Sequence, residues 1–337
     1  MRYALALLAL VSGLCAAAAA APLATPPAGT LQLVSEHPVE GMRGGNLSGL
    51  ALCDGKLLTV SDRDDDRLYS LTPDETPGSV WQAATQTFVV PPSPDSGLSW
   101  GARSRIWLMG LLRGGVYDYE GITCDNHGQR YLVSEAYAAV LRVPEQGEPQ
   151  WLPLPASLLL QARASGLLTT TNAYYEGLAI DAEGKRLWLA AERQRRGLLR
   201  VRNDNGSWKC DGNCVLLSEG GTALPPPQLA SDKPLALDFS DLALYQGKLF
   251  TLERLVHQVC RRDAETGAAE KCWSYADAAL APERRYDLPY GVAEALVIDE
   301  RGAWIGLDNG DTARADGDVR PYVQRYAVPA GGWLGAP

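Results

Sequence analysis

A chain of 337 residues that is 46% hydrophobic and 21% charged, with 34 Gly and 22 Pro, has material for a large core. This composition excludes a collagen, a coiled coil and a disordered tail protein. Its 31 basic and 40 acidic residues leave a formal charge of −9, which argues against nucleic acid or an anionic membrane surface and favours a cation as partner.

The first element is a targeting segment. Arg2 precedes an apolar run from Ala4 to Leu14 and an alanine stretch ending at Ala21-Pro22. These are the n-region, h-region and small-residue cleavage site of a signal peptide over residues 1–21. The apolar run is too short to span a bilayer, and Leu14 before Cys15 departs from the small residue of a lipidation site. A periplasmic or secreted protein is expected, without membrane insertion.

Six cysteines follow the leader: Cys53, Cys124, Cys210, Cys214, Cys260 and Cys272. An even number in an oxidising compartment points to disulfides. Cys260 and Cys272 flank a hairpin turning at Glu265-Thr266-Gly267, and Cys210 and Cys214 close a tight loop. Cys53 and Cys124 occupy nearly equivalent places in two repeats. A zinc site on Cys210 and Cys214 would lack a second nearby pair of ligands.

Five segments then share one pattern: a short apolar strand, a turn carrying Asp, Glu or Gly, and a second apolar strand ending in an acid. They run from Asn46 to Arg63, Tyr119 to Glu135, Tyr175 to Arg193, Phe239 to Arg254 and Ala293 to Asn309. Each reads as a β-hairpin. A recurrence roughly every 50–70 residues, with several strands per period, indicates propeller blades. Leu31–Ser35 and Tyr322–Val328 are placed to pair and close a ring. The expected fold is all-β, a single β-propeller of five to six blades over residues 30–330. Six are preferred; the long first interval has room for a diverged blade or for an insertion through Pro91 to Gly115. Ala156 to Ala164 reads as a short helix, a lid or decoration rather than a domain.

Each repeat opens on a polar or acidic residue, Ser48, Glu120, Glu176, Asp241 or Glu294, and closes on Asp62, Glu135, Glu192, Glu253 or Asp308. In a propeller, equivalent positions form rungs around the axis. Carboxylates crowded on one channel repel, and a hard cation such as Ca²⁺ resolves the repulsion. The expected metal ligands are Glu120, Glu176, Asp241 and Glu294, with Asn46, Asn172 and Asn309 as neutral oxygen donors. Arginine follows the acid at Arg63, Arg193 and Arg254. Glu192 or Glu253 is expected as general base, with Arg193 and Arg254 holding an anionic group. The plainer reading is that the acids cap turns and the arginines pair with carboxylates between blades. Arg103, Arg105 and Arg113 in the long first interval read as solvated. His37, His127 and His257 fall in no motif, and there is no nucleophile elbow or phosphate loop.

Asn46-Leu-Ser-Gly-Leu-Ala, Tyr174-Tyr-Glu-Gly-Leu-Ala-Ile, Phe239-Ser-Asp-Leu-Ala, Leu252-Glu-Arg and Leu307-Asp308-Asn309 together resemble the phytase-like family described as esterase-like activity of phytase. The resemblance runs from about Asn46 to Asn309. It implies a β-propeller with recurring Glu and Asp residues and phosphoesterase activity. Lactonases of the regucalcin type are a more distant likeness; their Glu-Gly-Pro is absent, since Gly-Ile, Gly-Leu and Ala-Leu follow Glu120, Glu176 and Glu294. The function expected is an exported, monomeric, Ca²⁺-dependent phosphoric ester hydrolase, phytase-like or phosphodiesterase-like, acting on a small anionic substrate. The alternatives are a lactonase-type ester hydrolase and a non-catalytic ligand- or protein-binding propeller with a structural cation.

Overall fold

The computed structural model describes residues 25–336 except 44, 95–100, 102, 103, 105–114, 171–173, 193, 194, 230 and 289. The leader, Arg103, Arg105, Arg113, Asn172 and Arg193 lie outside the described residues.

After β1 (Leu33–Glu40), the strands group into antiparallel units in chain order. Unit one is β2 (Gly49–Cys53), β3 (Lys56–Val60), β4 (Arg67–Leu71) and β5 (Trp81–Thr87). Unit two is β6 (Tyr119–Cys124), β7 (Arg130–Ser134), β8 (Ala139–Val143) and β9 (Gln150–Trp151). The helix α1 (Ala156–Ala164) follows, where the sequence indicated one. Unit three is β10 (Tyr175–Ile180), β11 (Arg186–Ala191) and β12 (Arg195–Asp204), with β13 (Ser207–Lys209) and β14 (Val215–Gly220) both pairing with β12. A small ribbon, β15 (Thr222–Ala223) with β16 (Leu235–Ala236), lies on the connection. Unit four is β17 (Asp241–Tyr245), β18 (Lys248–Glu253), β19 (Gln258–Asp263) and β20 (Ala269–Ser274). Unit five is β21 (Ala293–Asp299), β22 (Gly302–Leu307) and β23 (Tyr322–Ala327), completed by β1.

The hairpins form because their turns carry residues that tolerate positive φ. Asp54-Gly55 (φ 48° and 75°) and Gln246-Gly247 (φ 47° and 77°) make two-residue connections whose twist matches that of the flanking strands. Apolar residues of each unit then bury against the next. Leu58 and Val60 meet Ile122 and Leu132, and Val133 and Val140 meet Leu178 and Leu189. Trp188 and Leu198 meet Leu242 and Leu249, and Phe250 and Val259 meet Leu296 and Ile305. The fifth cluster joins the last unit to the first, with Val297 and Trp304 against Leu50 and Leu57. A core at every junction, including last to first, is the packing of a propeller.

The ring is fastened where expected. β1 runs antiparallel to β23, from Leu33 opposite Tyr326 to Pro38 opposite Tyr322. Among the described residues there are five units, and no sheet stands between β5 and β6. The three disulfides are Cys53–Cys124, Cys210–Cys214 and Cys260–Cys272, with Cα separations of 5.9, 4.8 and 4.0 Å. Such bridges fit an oxidising compartment. No described helix is long and apolar enough to cross a membrane.

The first strands of the units neighbour one another around the axis. Glycine permits the closeness: a Cβ on Gly49 would come within 2.7 Å of the Cα of Gly121, and one on Gly177 within 2.7 Å of the Cα of Asp241. One end of this channel is apolar, with Leu52, Ile180, Leu244 and Ile298 around a space of about 180 Å³. The acids gather at the other end, where the first strands begin.

Candidate functional site

Three of the four opening acids sit on β-bulges. Tyr119 pairs with Ser134 and Gly121 with Val133, so Glu120 is an extra residue with no partner in the ladder. The same slip falls between Tyr175 and Gly177, at Glu176, and between Ala293 and Ala295, at Glu294. A bulge re-aims the side chain it carries. Unit four has no such slip, since Asp241 lies in regular register opposite Leu252. Its side chain consequently stays in the packed junction. There Asp241 accepts hydrogen bonds from the backbone amides of Leu242 (2.7 Å) and Leu296 (2.6 Å). Of the four expected ligands, Asp241 thus holds neighbouring strands together, and Glu120, Glu176 and Glu294 occupy the bulges.

The closing acids behave differently from one another. Glu135 and Glu192 are buried beside Glu176, with one carboxylate oxygen from each of the three lying within 4.8 Å of the others. A second group brings Asp62, Asp118 and Glu120 together within the same distance. Glu253, expected as a base, is fully buried between Arg196 (2.8 Å) and Arg262 (2.8 Å) and accepts from Gln258 (2.9 Å). Burial alone would push its carboxyl up, and the two guanidinium groups outweigh this and bring it down to about 2. Glu253 is therefore committed to an internal ion cluster. Asp308 lines the mouth of the channel; burial, then the charge of Asp62, pushes its carboxyl up to about 7.

Arg254 is the internal counter-charge. It contacts Glu192 (3.1 Å), Asp238 (3.3 Å) and Glu294, and so ties units three, four and five together. Burial opposes its charge, and the carboxylates of Asp238, Glu176 and Glu192 outweigh that and keep the guanidinium firmly protonated. The inter-blade pairing read as the plainer alternative is realised here. Arg63 instead reaches outward to Asp311 at 3.5 Å.

Burial, followed by the charges of Glu176, Asp118, Asp62 and Glu135, pushes the Glu120 carboxyl well above the usual range. Beside these acids lies a cavity of about 400 Å³ lined by Arg254, Glu294, Asp308, Asn309, Leu288 and Tyr290. Three buried oxygens at this end of the channel have no hydrogen-bond partner: Asn46 Oδ1, Asn309 Oδ1 and Glu294 Oε2. An acceptor-only set of carboxylate and amide oxygens matches the chemistry of a hard cation such as Ca²⁺.

Sequence reading missed Asp118, Asp238, Arg196 and Arg262. Asp118 had one available signal: it stands two residues before Glu120, as Asn46 stands two before Ser48. Arg196 had none, because its partner Glu253 comes from another unit, whereas Arg262 reaches Glu253 across the β18–β19 hairpin that the sequence did not single out.

The Phytase-like family, described as esterase-like activity of phytase, matches residues 43–208. No curated protein sequence matches the chain. Among solved structures it is similar to glutaminyl cyclase from Myxococcus xanthus, at 12% identity and TM-score 0.47, covering 90% of this chain and 99% of that one. It is also similar to the PQQ-bound aldose sugar dehydrogenase of Streptomyces coelicolor, at 14% identity and TM-score 0.43, covering 89% and 99%. A gluconolactonase from Xanthomonas campestris is similar at 10% identity and TM-score 0.39, covering 90% and 99%.

Proposed function

We propose that this protein is an exported, divalent-cation-dependent hydrolase of small anionic esters, phosphoric esters in the first place. The observation that carries the reading is the cavity beside the acidic end of the channel, where Arg254, Glu294 and Asp308 meet. The family match over residues 43–208 supports a hydrolase-type propeller. Export is supported by the three disulfides together with the alanine-rich leader.

The chain's own groups divide the work. Arg254 orients the anionic group, since a guanidinium fork matches phosphate oxygens. Glu294 and Glu192 hold Arg254 in place through their ion pairs. Asp308 takes the proton from water as the water attacks, because burial holds its carboxyl near neutrality. Glu253, with Arg196 and Arg262, keeps the wall of the channel rigid. Ca²⁺, the cation this donor set favours, would be held by the carboxylates at the bulged end of the channel. When bound it polarises the ester and offsets the negative charge that would otherwise repel the substrate.

The test is a panel of aryl phosphates and lactones assayed with Ca²⁺ and with chelator. Phosphate release that stops with chelator and returns with Ca²⁺ is expected. Asp308→Asn should lower kcat by about 100-fold or more with little change in KM. Lactone opening without phosphate release would assign the site to acyl esters. Turnover indifferent to both chelator and Asp308→Asn would overturn the proposal.

A further inference from the structure

The cavity at the mouth of the channel is acidic on balance. Among the described residues that line it, Arg254 is the one basic side chain, and Glu294, Asp308 and Asp311 stand against it. Arg254 carries two more acids behind it, Glu192 at 3.1 Å and Asp238 at 3.3 Å. Arg63 approaches from unit one and meets Asp311 at 3.5 Å. Two guanidinium groups thus face five carboxyl groups, and one divalent cation among these acids brings the balance no further than neutrality. The inner groups are buried, where charge is screened least.

The rim adds two features. Tyr290 is 44% exposed and lines the cavity with Leu288 and Val292, so its ring is within reach of a ligand. The side chain of Asp311, on the loop after β22, is 90% exposed. Its pair with Arg63 is of the exposed kind that contributes little in water, and a ligand can displace it. An aromatic ring and an available carboxylate at one opening suit an organic ammonium, the ring through its quadrupole and the carboxylate through its charge. An ester with several phosphates meets the opposite conditions. One inner guanidinium can hold it, and like charge repels the rest.

We propose that the cavity takes zwitterionic phosphoric esters, with the phosphoryl group at Arg254 and an alkylammonium on the alcohol received by Tyr290 and Asp311. This inference rests on the reading of the site as a phosphoesterase and names its substrate class. Water attacks phosphorus, and the bond from phosphorus to the alcohol oxygen breaks with its electron pair. The proton that Asp308 takes from water passes to that oxygen, so phosphate and the amino alcohol are released. Because Arg63 is the resting partner of Asp311, the ammonium and Arg63 compete for one carboxylate.

The experiment measures choline binding by calorimetry, and phosphate release from three probes with Ca²⁺ present. The probes are phosphocholine, its uncharged isostere dimethylbutyl phosphate, and inositol hexakisphosphate. Phosphocholine should exceed its isostere about tenfold in kcat/KM, and inositol hexakisphosphate should be the poorest of the three. Asp311→Asn and Tyr290→Leu should each bring that preference below about threefold and weaken choline binding. Both replace exposed side chains, so both should melt like wild type. Arg63→Ala frees Asp311 and should tighten choline, whereas Glu145→Gln, at an exposed acid between β8 and β9, should not change its binding. Phosphate release that favours the isostere or inositol hexakisphosphate would overturn the assignment and leave the phosphoesterase standing. Choline bound through Asp311, with no phosphate released from any probe, would uphold the ammonium pocket and sink the hydrolase. Neither choline binding nor phosphate release would overturn both.

Discussion

Glu253 and its two arginines show how a charged side chain can serve a wall instead of a reaction. The guanidinium groups of Arg196 and Arg262 lie over the Phe239 ring, at 4.4 and 4.7 Å from its centroid, and both reach the Glu253 carboxylate. Removing the acid would leave two buried cations short of a partner, a loss of about 3–5 kcal/mol for a broken buried pair. Glu253→Gln should therefore lower stability at pH 7 by about that amount, measured by urea unfolding. The pH dependence has a definite sign. The folded carboxyl is held at about 2, below its ordinary value of 4.5, so its contribution is present above about pH 4.5. It is lost as pH falls toward 2. The gap between wild type and Glu253→Gln should narrow over that window, and a gap that stayed constant would show that Glu253 is not charged in the fold. The acid itself was legible as the end of a repeat. Its role was not, because Arg196 arrives from β12 of another unit, with no spacing in the chain to link it to Glu253.

Among strands, the deciding feature is the bulge. Alternation of apolar residues marked the first hairpin of each of the five units, because burial of one face imposes a period of two on the chain. The same alternation cannot mark an extra residue, since a bulge changes register without changing composition. Glu120, Glu176 and Glu294 gain their place at the channel that way, whereas Asp241 remains in register and is taken up by the amides of Leu242 and Leu296. The glycine after the bulge acts in packing. A Cβ at Gly177 would meet the Cα of Asp241 and the amide of Leu242, both at 2.7 Å, and backbone cannot move aside as a side chain can. Gly177→Ala should cost about 1–3 kcal/mol, the range for overpacking a tight core. Gly29→Ala, where the nearest atom is Trp273 Cδ1 at 3.8 Å, should cost less than about 0.5 kcal/mol. Equal effects from the two substitutions would mean that the first strands are not packed backbone to backbone.

Closure of the propeller depends on the two ends of the chain. β1 completes unit five by pairing with β23, and Val39 on β1 enters the core shared by units five and one. Removing residues 25–40 would expose the edge of β23 and open that core. The truncated chain should melt at least about 10 °C below the mature protein, or fail to refold. An unchanged melting temperature in calorimetry would show that closure lies elsewhere. The Cys53–Cys124 bridge adds a second fastening, between units one and two, across the same junction that carries Asp62, Asp118 and Glu120.

Local physics made the first hairpin of each unit, the helix at Ala156–Ala164 and the short-range bridges Cys210–Cys214 and Cys260–Cys272 readable. Turn residues, apolar period and short loop spacing act on neighbours in the chain, so they leave their mark in the order of residues. The acids were visible as a recurrence and not as a site. Which of them meet depends on a one-residue slip in the ladder, on first strands brought together by glycine, and on arginines arriving from other strands. Arg254 makes the point most clearly: its partners Glu192, Asp238 and Glu294 are scattered along the chain, and only the closed ring puts them around one guanidinium. Electrostatic energy depends on distance in space, and distance in space between units is set by tertiary packing.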